Sequence, residues 1–373
     1  MAVLKEHPVK ALLFTQQHGF RQVLVERVNS YIAENRLAIR DVPAMYAKSA
    51  FVIACWLGIY LLVLLGGLPL WVDALLCIAF AFPMAAIAFN IGHDATHGGY
   101  SNNPRINRLL SLAMELIGLS SFIWWHRHSV HHTYPNIGGL DEDLETGGLL
   151  RVSPHEEWKP YYRLQLWYAP IAYCFAGFDF LKRDLMVFFT GHMGCHPYPK
   201  MKASDRIIFV AGKLFFFGYM LALPILFFPW WQVLVGFMIT MFTLGLIIAA
   251  VNVLPHLVEA ADFPEPVGDP LHMENEWAIH QIQTTVNFSP GNSLVTHYVG
   301  GTNYQIEHHL FPQICHVHYP RISPIVRQTC EEFGITYLVY PTMGAALRGH
   351  VWALREFGRK PGSTPAMRVG EVT

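Results

Sequence analysis

Four long apolar stretches dominate the hydrophobic pattern of this chain. They cover residues 49–67, 70–91, 207–228 and 231–254, and only Asp73 and Lys213 interrupt them with a charge. A helix needs about 20 apolar residues to cross a bilayer, so each stretch predicts a membrane-spanning helix. The links between the first two and the last two stretches are very short, which predicts two helical hairpins.

The basic residues indicate how these hairpins are oriented. Neither the segment 49–104 nor the segment 214–320 contains a Lys or an Arg. All 26 basic residues are therefore predicted on one side of the membrane, which the positive-inside rule makes the cytoplasmic side. Lys213 is expected to snorkel from the third span to the interface. Buried helices of a large soluble protein would not distribute charge so unevenly.

The remaining segments predict a cytoplasmic part around the spans. Residues 1–45 form a lead-in with an amphipathic helix, and residues 108–125 form an apolar stretch that Glu115 interrupts near its middle. We expect this second segment to lie at, or dip into, the cytoplasmic face. The whole chain, 1–373, is predicted to be one all-α integral membrane domain with a helical cap and a flexible tail at 360–373.

Composition narrows the class of function further. Only 14% of the residues are charged and the net charge is −1, so the sequence gives no reason to expect nucleic acid as a partner. The six cysteines are scattered and form no C-x-x-C pair. This usage favours a reduced compartment facing the cytosol.

The histidines, 20 in number, carry the predicted chemistry. They recur at spacings that place several imidazoles on one helix face, directly after predicted spans or in the cap. One pair alone is commonly polar surface, and HRHSVHH alone is equally typical of an interfacial loop. Several such groups on one side of the membrane predict a metal site, formed by His93, His97, His128, His131, His132, His256, His308 and His309.

The number of candidate ligands favours two metals over one. A tetrahedral zinc site takes four ligands, and this chain offers eight histidines at suitable spacing. Imidazole clusters bind Fe, Zn, Cu or Ni. The Glu-x-x-His pairs of soluble di-iron bundles do not occur in the sequence, so iron here would be held almost wholly by neutral nitrogen atoms.

Three of these motifs resemble the histidine boxes of the membrane fatty acid desaturases. HDATH at 93–97, HSVHH at 128–132 and QIEHH at 305–309 match H-x-x-x-H, H-x-x-H-H and Q-x-x-H-H. The resemblance covers nearly the whole chain, including GGTNYQIEHHLFP and HHTYPNIGGLDEDLE. It implies a di-iron centre that uses O2 and two external electrons to remove two hydrogens from an acyl chain.

The resemblance also implies roles for other residues. Asn252 and His256 are similar to the Asn-x-x-x-His of acyl-CoA desaturases, in which the Asn holds a water near iron. Gln305 stands where other members have a histidine, which resembles the front-end (Δ5/Δ6-type) and linoleoyl-CoA-like branch. The resemblance does not specify whether Gln305 contacts iron directly or through a water molecule. Residues close to the ligands in sequence are predicted to orient them: Asp94, Asp141, Asp143, Glu307 and His126. For the four acids, the alternative is an ordinary helix cap or surface carboxylate.

The expected function is O2-dependent desaturation of an acyl-CoA or acyl-lipid. Many front-end members carry a fused cytochrome b5 with a His-Pro-Gly-Gly motif, which this sequence lacks. Electrons are therefore expected from a separate cytochrome b5, or from a ferredoxin with its reductase. The layout resembles bacterial members, which implies the inner membrane, or the endoplasmic reticulum in a eukaryote. Tryptophans expected to line an acyl tunnel are Trp124, Trp125, Trp158, Trp167 and Trp277.

Two other functions compete with desaturation. The same scaffold supports hydroxylation or ketolation of a lipid, sphingoid or carotenoid, because histidine boxes do not fix the outcome of the oxidation. A divalent-metal transporter is a more remote alternative. Transport would place ionisable ligands near the middle of the bilayer, whereas these histidines are predicted at or beyond the ends of the spans.

Overall fold

The computed structural model describes residues 12–14, 19–194, 196–269 and 271–362. Most of the predicted flexible tail and the start of the lead-in lie outside the described residues. The predicted helical architecture is confirmed, with six two-residue strands as the only strands in the described ranges. In chain order the helices are α1 Phe20–Glu34, α2 Pro43–Leu65, α3 Leu70–Thr96, α4 Pro104–Leu116, α5 Ser121–Thr133, α6 Gln165–Cys174, α7 Ala176–Thr190, α8 Ala203–Leu226, α9 Trp230–Val253, α10 Trp277–Thr284, α11 Ser293–Tyr298, α12 Gln305–Leu310, α13 Tyr319–Glu332 and α14 Met343–Gly358.

The strands pair as three small ribbons that fasten loops of the cap. They are β1 Leu13–Phe14, β2 His192–Met193, β3 His196–Pro197, β4 His272–Met273, β5 Asn287–Phe288 and β6 Val339–Tyr340. The pairs β1–β4 and β5–β6 are parallel, and β2–β3 is antiparallel. Each parallel pair joins segments that are distant in sequence, so the ribbons hold the cap together.

Among the described residues, four helices are long and apolar enough to cross a membrane, as predicted: α2, α3, α8 and α9. The first begins at Pro43 rather than at residue 49, so it includes Lys48, which is only 8% exposed. Helix α3 packs against both α2 and α9. Between these helices lies the largest apolar cluster, in which Met84, Phe216 and Met241 are almost fully buried.

Helix α3 changes its winding just before the first histidine box. Residues Ala88–Gly92 form a π-turn, and His93 follows it directly. The side chain of Asn90 in this turn donates to the carbonyl oxygens of Ala86 at 2.9 Å and Tyr298 at 2.8 Å. Such turns are frequent at functional sites. Here the turn rotates the end of α3 relative to the rest of the span and ties it to α11.

The apolar segment predicted at the membrane face is a broken helix. Helices α4 and α5 meet at an angle of 103°. The carboxylate of Glu115 accepts a hydrogen bond from the backbone N–H of Ser121 at 2.9 Å, and the Ser120 side chain caps α5. The one acidic residue of this segment therefore satisfies the backbone at the break and helps to redirect α5 into the cap.

The prediction that Lys213 snorkels to the interface is wrong. Lys213 is 8% exposed and forms an ion pair with Asp184, which is 4% exposed. Its ammonium group also donates to the carbonyl oxygen of Gly118, and Asp184 accepts from the backbone N–H of Ser120 at 2.7 Å. A carboxylate contributed by α7 thus gives the lysine a buried partner, which the sequence of the span alone does not show.

The lead-in helix α1 is amphipathic, as predicted, and packs into the cap. Phe20, Leu24 and Val28 are buried on one face, against a cluster that includes Ile322 and Val326 of α13. The spacing of the three α1 residues by four repeats the helical period, so one stripe faces the cap. Packing of this kind fixes α13 and, through it, the segment that carries the third histidine box.

Candidate metal centre

Seven of the predicted histidine ligands form two compact groups. Group A consists of His93, His97, His128 and His308, and group B of His131, His256 and His309. Within each group one nitrogen atom per ring lies within 4.8 Å of the others. A spacing of this size is what several imidazoles need to reach one metal ion.

The eighth histidine, His132, lies between the two groups. Its ring centroid is 4.5 Å from that of His97 in group A and 4.2 Å from that of His309 in group B. Its Nε2 is 3.1 Å from Nε2 of His128. The eight histidines therefore form one continuous site with two adjoining halves.

The same helices supply both halves. His128, His131 and His132 share one face of α5, and the first belongs to group A while the second belongs to group B. On α12 the consecutive residues His308 and His309 divide in the same way. Two short helices crossing the end of α3 can therefore build both halves at once.

Ring nitrogens point at one another inside the site. The Nε2 atoms of His93 and His128 are 3.2 Å apart, and those of His131 and His256 are 3.3 Å apart. Nε2 of His97 and Nε2 of His308 are buried and have no hydrogen-bond partner among the described residues. Buried polar atoms normally find partners, so facing and orphaned imidazole nitrogens fit a site that binds metal ions.

The opposite ring nitrogens are held from outside the site. Nδ1 of His131 is 3.0 Å from an Asp141 oxygen, and Nδ1 of His256 is 3.1 Å from the carbonyl oxygen of Thr284. The amide of Gln281 lies 2.8 Å from Nδ1 of His309. The oxygen acceptors on Nδ1 of His131 and His256 fix the tautomer that leaves Nε2 free for a metal. The surroundings of group B thus orient its rings.

Three of the four acids predicted to orient ligands lie beside an imidazole. Asp141 contacts His131 as described, Asp143 has an oxygen 3.6 Å from the same Nδ1, and Asp94 has one 3.7 Å from Nδ1 of His93. Glu307 is placed differently. It accepts hydrogen bonds from Asn287 Nδ2 at 2.7 Å and Tyr337 OH at 2.6 Å, and burial raises the pKa of its carboxyl to about 7.

The other predicted residues divide between the site and its surroundings. The Gln305 amide lies 3.0 Å from Nε2 of His256 and 3.2 Å from Nε2 of His309, so it points into group B. Asn252 lines a cavity beside the histidines. His126 is set apart from both groups, because its ring packs against Tyr198 with centroids 5.3 Å apart.

A cavity with one polar and one apolar wall opens onto both groups. Its polar wall includes His93, His128, His131 and His256, and its apolar wall consists of Ala88, Phe89, Met114, Leu119, Phe180, Ile248 and Val251. The apolar wall suits a hydrocarbon chain, whereas Arg127, Asp143 and Gln305 add charged and polar groups on the side of the histidines. The histidines thus face a cavity that is apolar on one side.

Of the tryptophans predicted to line a tunnel, Trp124 borders this cavity and stacks on His128 with centroids 4.3 Å apart. Trp277 donates to the carbonyl oxygen of His132 at 3.3 Å, a contact that stabilises the end of the helix carrying the second histidine box. Trp158 instead donates to the carbonyl oxygen of Gly358, Trp125 is 46% exposed and Trp167 is 78% exposed. Of these five tryptophans, Trp124 is thus the one that lines this cavity, and a role for the others in an acyl tunnel stays a prediction.

Burial favours the neutral form of three site histidines that lie outside the spans. It lowers the pKa of His256 to about 3, and it lowers the pKa values of His308 and His309 well below the ordinary histidine value. Only a neutral imidazole has a lone pair for a metal. The protein thus presents these side chains in the form that binds metals at neutral pH.

Several residues around the site were not found by sequence reasoning. They belong to no box and show no periodic signal, and three-dimensional packing alone brings them to the ligands: Lys48, Gln281, Thr284, His316 and Tyr319.

The sequence pattern that defines fatty acid desaturases matches residues 69–341. That range contains both histidine groups, the cavity and three of the four spanning helices. The chain belongs to the fatty acid desaturase family. This desaturase is therefore an enzyme and a multi-pass membrane protein, with buried histidine clusters at the ends of its spans.

Individual desaturases are similar to this one along most of their length. The sn-1 linoleoyl-lipid 6-desaturase of Synechocystis sp. is 39% identical over 349 residues, covering 93% of this chain and 97% of that protein. The enzyme of the same name from Arthrospira platensis is 39% identical over 351 residues, covering 93% and 95%. An acyl-lipid (8-3)-desaturase of Physcomitrium patens is 32% identical over 349 residues, covering 92% and 72%.

Proposed function

We propose that this protein is a front-end acyl-lipid desaturase that introduces a double bond near the carboxyl end of an unsaturated acyl chain. The observation that carries the proposal is the pair of adjoining histidine groups on the wall of a cavity whose opposite wall is apolar. The names of two relatives support a lipid-linked substrate and position 6. Gln305, which points into group B, supports the front-end branch.

The metals we propose are two iron ions held by the eight histidines, with group A and group B each forming most of one site. Gln305 is placed to contact the ion at group B, directly or through water. When bound, the irons would supply the reduction of O2 with two external electrons that removal of two acyl hydrogens requires. Imidazole nitrogen is a suitable ligand for iron.

The protein's own contribution is to position the histidines and to keep the site dry. Asp141, the Thr284 carbonyl and Gln281 fix three rings from behind, so that Nε2 faces inward. The apolar wall of the cavity holds the acyl chain and excludes water from a reactive site. Overall, one CH2–CH2 unit, O2, two electrons and two protons give one CH=CH unit and two waters.

Position along the chain is selected by geometry in this proposal. A lipid headgroup stays outside the cavity, and the length of chain between headgroup and histidines decides which carbons reach the metals. The cavity wall on α3 and α9 then fixes the direction in which the remaining chain runs. Electrons come from a separate donor, a cytochrome b5 or a ferredoxin with its reductase, at the cytoplasmic side where the basic residues lie.

The test is expression in a host that makes linoleoyl lipids but lacks this activity, followed by mass spectrometry of intact lipids. We expect a product with two hydrogens fewer and a new double bond at carbon 6 of the lipid-linked chain. A product that has gained one oxygen atom would instead establish the hydroxylase alternative. A new double bond confined to the acyl-CoA pool would contradict the lipid-linked substrate.

A pair of histidine variants ties the activity to the site. His131→Ala removes a member of group B and is expected to abolish product and lower bound iron. The control is His192→Ala, which changes an exposed histidine of β2 and is expected to leave both unchanged. Full activity in His131→Ala would show that His131 is not a ligand of the metal centre.

A further inference from the structure

A buried chain of polar groups leads from the first membrane span to group A. Nζ of Lys48 on α2 is 3.1 Å from Nε2 of His316, and Nδ1 of His316 is 2.8 Å from an Asp94 oxygen. The other Asp94 oxygen is 3.7 Å from Nδ1 of His93. All four side chains are less than a tenth exposed.

We propose that Lys48, His316 and Asp94 form a positioning relay for His93. The relay holds a negative charge next to Nδ1 of His93, which favours a proton on that nitrogen and so leaves Nε2 free to face group A. It rests on the proposed metal centre, because its purpose is to orient one ligand of that centre. Lys48 and His316 are positioning residues in this role, since neither touches the site itself.

The geometry of His93 supports this role. Its Nε2 faces Nε2 of His128 at 3.2 Å, whereas its Nδ1 has no hydrogen-bond partner among the described residues. The carboxylate of Asp94 is the group next to that nitrogen. A carboxylate behind a metal-binding imidazole raises its basicity and sets its orientation, as Asp141 does for His131 in group B.

The buried carboxylate of Asp94 has lost its contact with water and needs other partners. This need explains why His316 lies next to it, with Lys48 on the other side of His316. A carboxylate removed from water is very unfavourable unless it is paired and hydrogen-bonded. His316 supplies the hydrogen bond, and Lys48 supplies a positive charge at the far side of the His316 ring. Because α2 contributes the lysine, the first span is linked through His316 and Asp94 to His93 at the end of the second span.

A third metal ion at this place is the alternative that the same residues suggest. Asp94, Cys315 and His316 each offer a ligand atom within 4.8 Å of the others. Lys48 argues against it, because its ammonium group lies against the remaining ring nitrogen of His316 and would repel a cation. Burial also raises the pKa of the Cys315 thiol, which keeps it protonated and a poor ligand.

The experiment measures metal binding rather than turnover. The full-length protein, purified in detergent without metal, is titrated with Co²⁺ and with Fe²⁺ under anaerobic conditions, and stoichiometry and the Co²⁺ absorption spectrum are recorded. We expect two metals in the parent protein. In Lys48→Met and His316→Gln the affinity for one of them should fall about 10–100-fold, with a changed Co²⁺ spectrum.

Two matched variants separate the relay from a general structural effect. Lys48→Arg keeps the charge and is expected to retain most of the affinity. His318→Gln changes a neighbouring buried histidine whose Nε2 bonds to the Ala38 carbonyl oxygen at 2.8 Å, and it is expected to bind both metals normally. Thermal unfolding of each metal-free variant measures any loss of folded protein separately.

Three outcomes would overturn the relay. One is normal affinity and an unchanged spectrum in both Lys48→Met and His316→Gln. Another is a third metal in the parent protein that His316→Gln removes, because the cluster would then be a site of its own. A parent protein that binds no metal at all would overturn the proposed di-iron centre, and the relay with it.

Discussion

At the scale of single residues, the histidines differ in what lies behind each ring. Asp141 is 1% exposed and contacts Nδ1 of His131, and it also accepts from the backbone N–H groups of Asn136 and Asp143. His256 and His309 have a neutral carbonyl or amide in the same position. His131 is thus the member of group B whose basicity depends most directly on a charge.

Asp141→Asn should therefore weaken the metal centre without emptying it. The substitution keeps the shape of the side chain and removes the charge on Nδ1, and we expect bound iron and activity to fall about 10–100-fold. Iron content per mole of purified protein and product formation are the measurements. Asp269→Asn, at an exposed position, is the control, and equal iron contents in the two variants would contradict the assigned role of Asp141.

At the scale of elements, the 103° break between α4 and α5 brings the second histidine box into the site. The buried pair Lys213–Asp184 sits at this break, since Lys213 donates to the carbonyl oxygen of Gly118 and Asp184 accepts from Ser120. A cation on α8 and an anion on α7 therefore hold the turn from which α5 starts. The direction of α5 depends on a polar contact among otherwise apolar helices.

Lys213→Met should be strongly destabilising, because it leaves Asp184 buried and unpaired. Removal of one member of a buried ion pair costs about 3–5 kcal/mol, and we expect a lower unfolding temperature in detergent. In Lys213→Met/Asp184→Asn the unpaired charge is gone, so part of the loss should be recovered. Additive effects of the two substitutions would show that the residues do not act as a pair.

At the scale of the whole molecule, the spans and the charges together predict an orientation. Both α3 and α9 end at the histidines, so the site lies at one end of the membrane domain. Two basic residues counted for the positive-inside rule, Lys48 and Lys213, are buried inside helices rather than placed in loops. The remaining basic residues still lie outside segments 49–104 and 214–320, so the cytoplasmic prediction stands on them.

Cysteine labelling in cells tests this orientation. With a membrane-impermeant maleimide, Leu65→Cys at the end of α2 should be labelled in intact cells, whereas Leu149→Cys in the cap should be labelled only after permeabilisation. Both positions are exposed, at 64% and 52%. The parent protein sets the background from its native cysteines, and the reverse labelling pattern would place the histidines on the other side of the membrane.

Local pattern was sufficient for much of the architecture. The four spans follow from apolar runs longer than a soluble helix needs, and the stripe Phe20, Leu24 and Val28 follows from the helical period. The boundaries were less well predicted, since α2 starts earlier than its apolar run. Lys48 is the reason: a charged residue ends a hydropathy pattern, but a partner on another element lets the helix continue through it.

The residue pattern alone predicts four long apolar helices and histidines spaced for metal binding, because both properties depend on residues close together in the chain. Three relations could be found only from the packing of the helices: His128 joins group A while His131 joins group B, Glu307 faces Asn287 and Tyr337 instead of an imidazole, and His316 lies against Asp94. These relations join segments that are far apart in sequence, and helical periodicity specifies a face of each helix but not the element that packs against it.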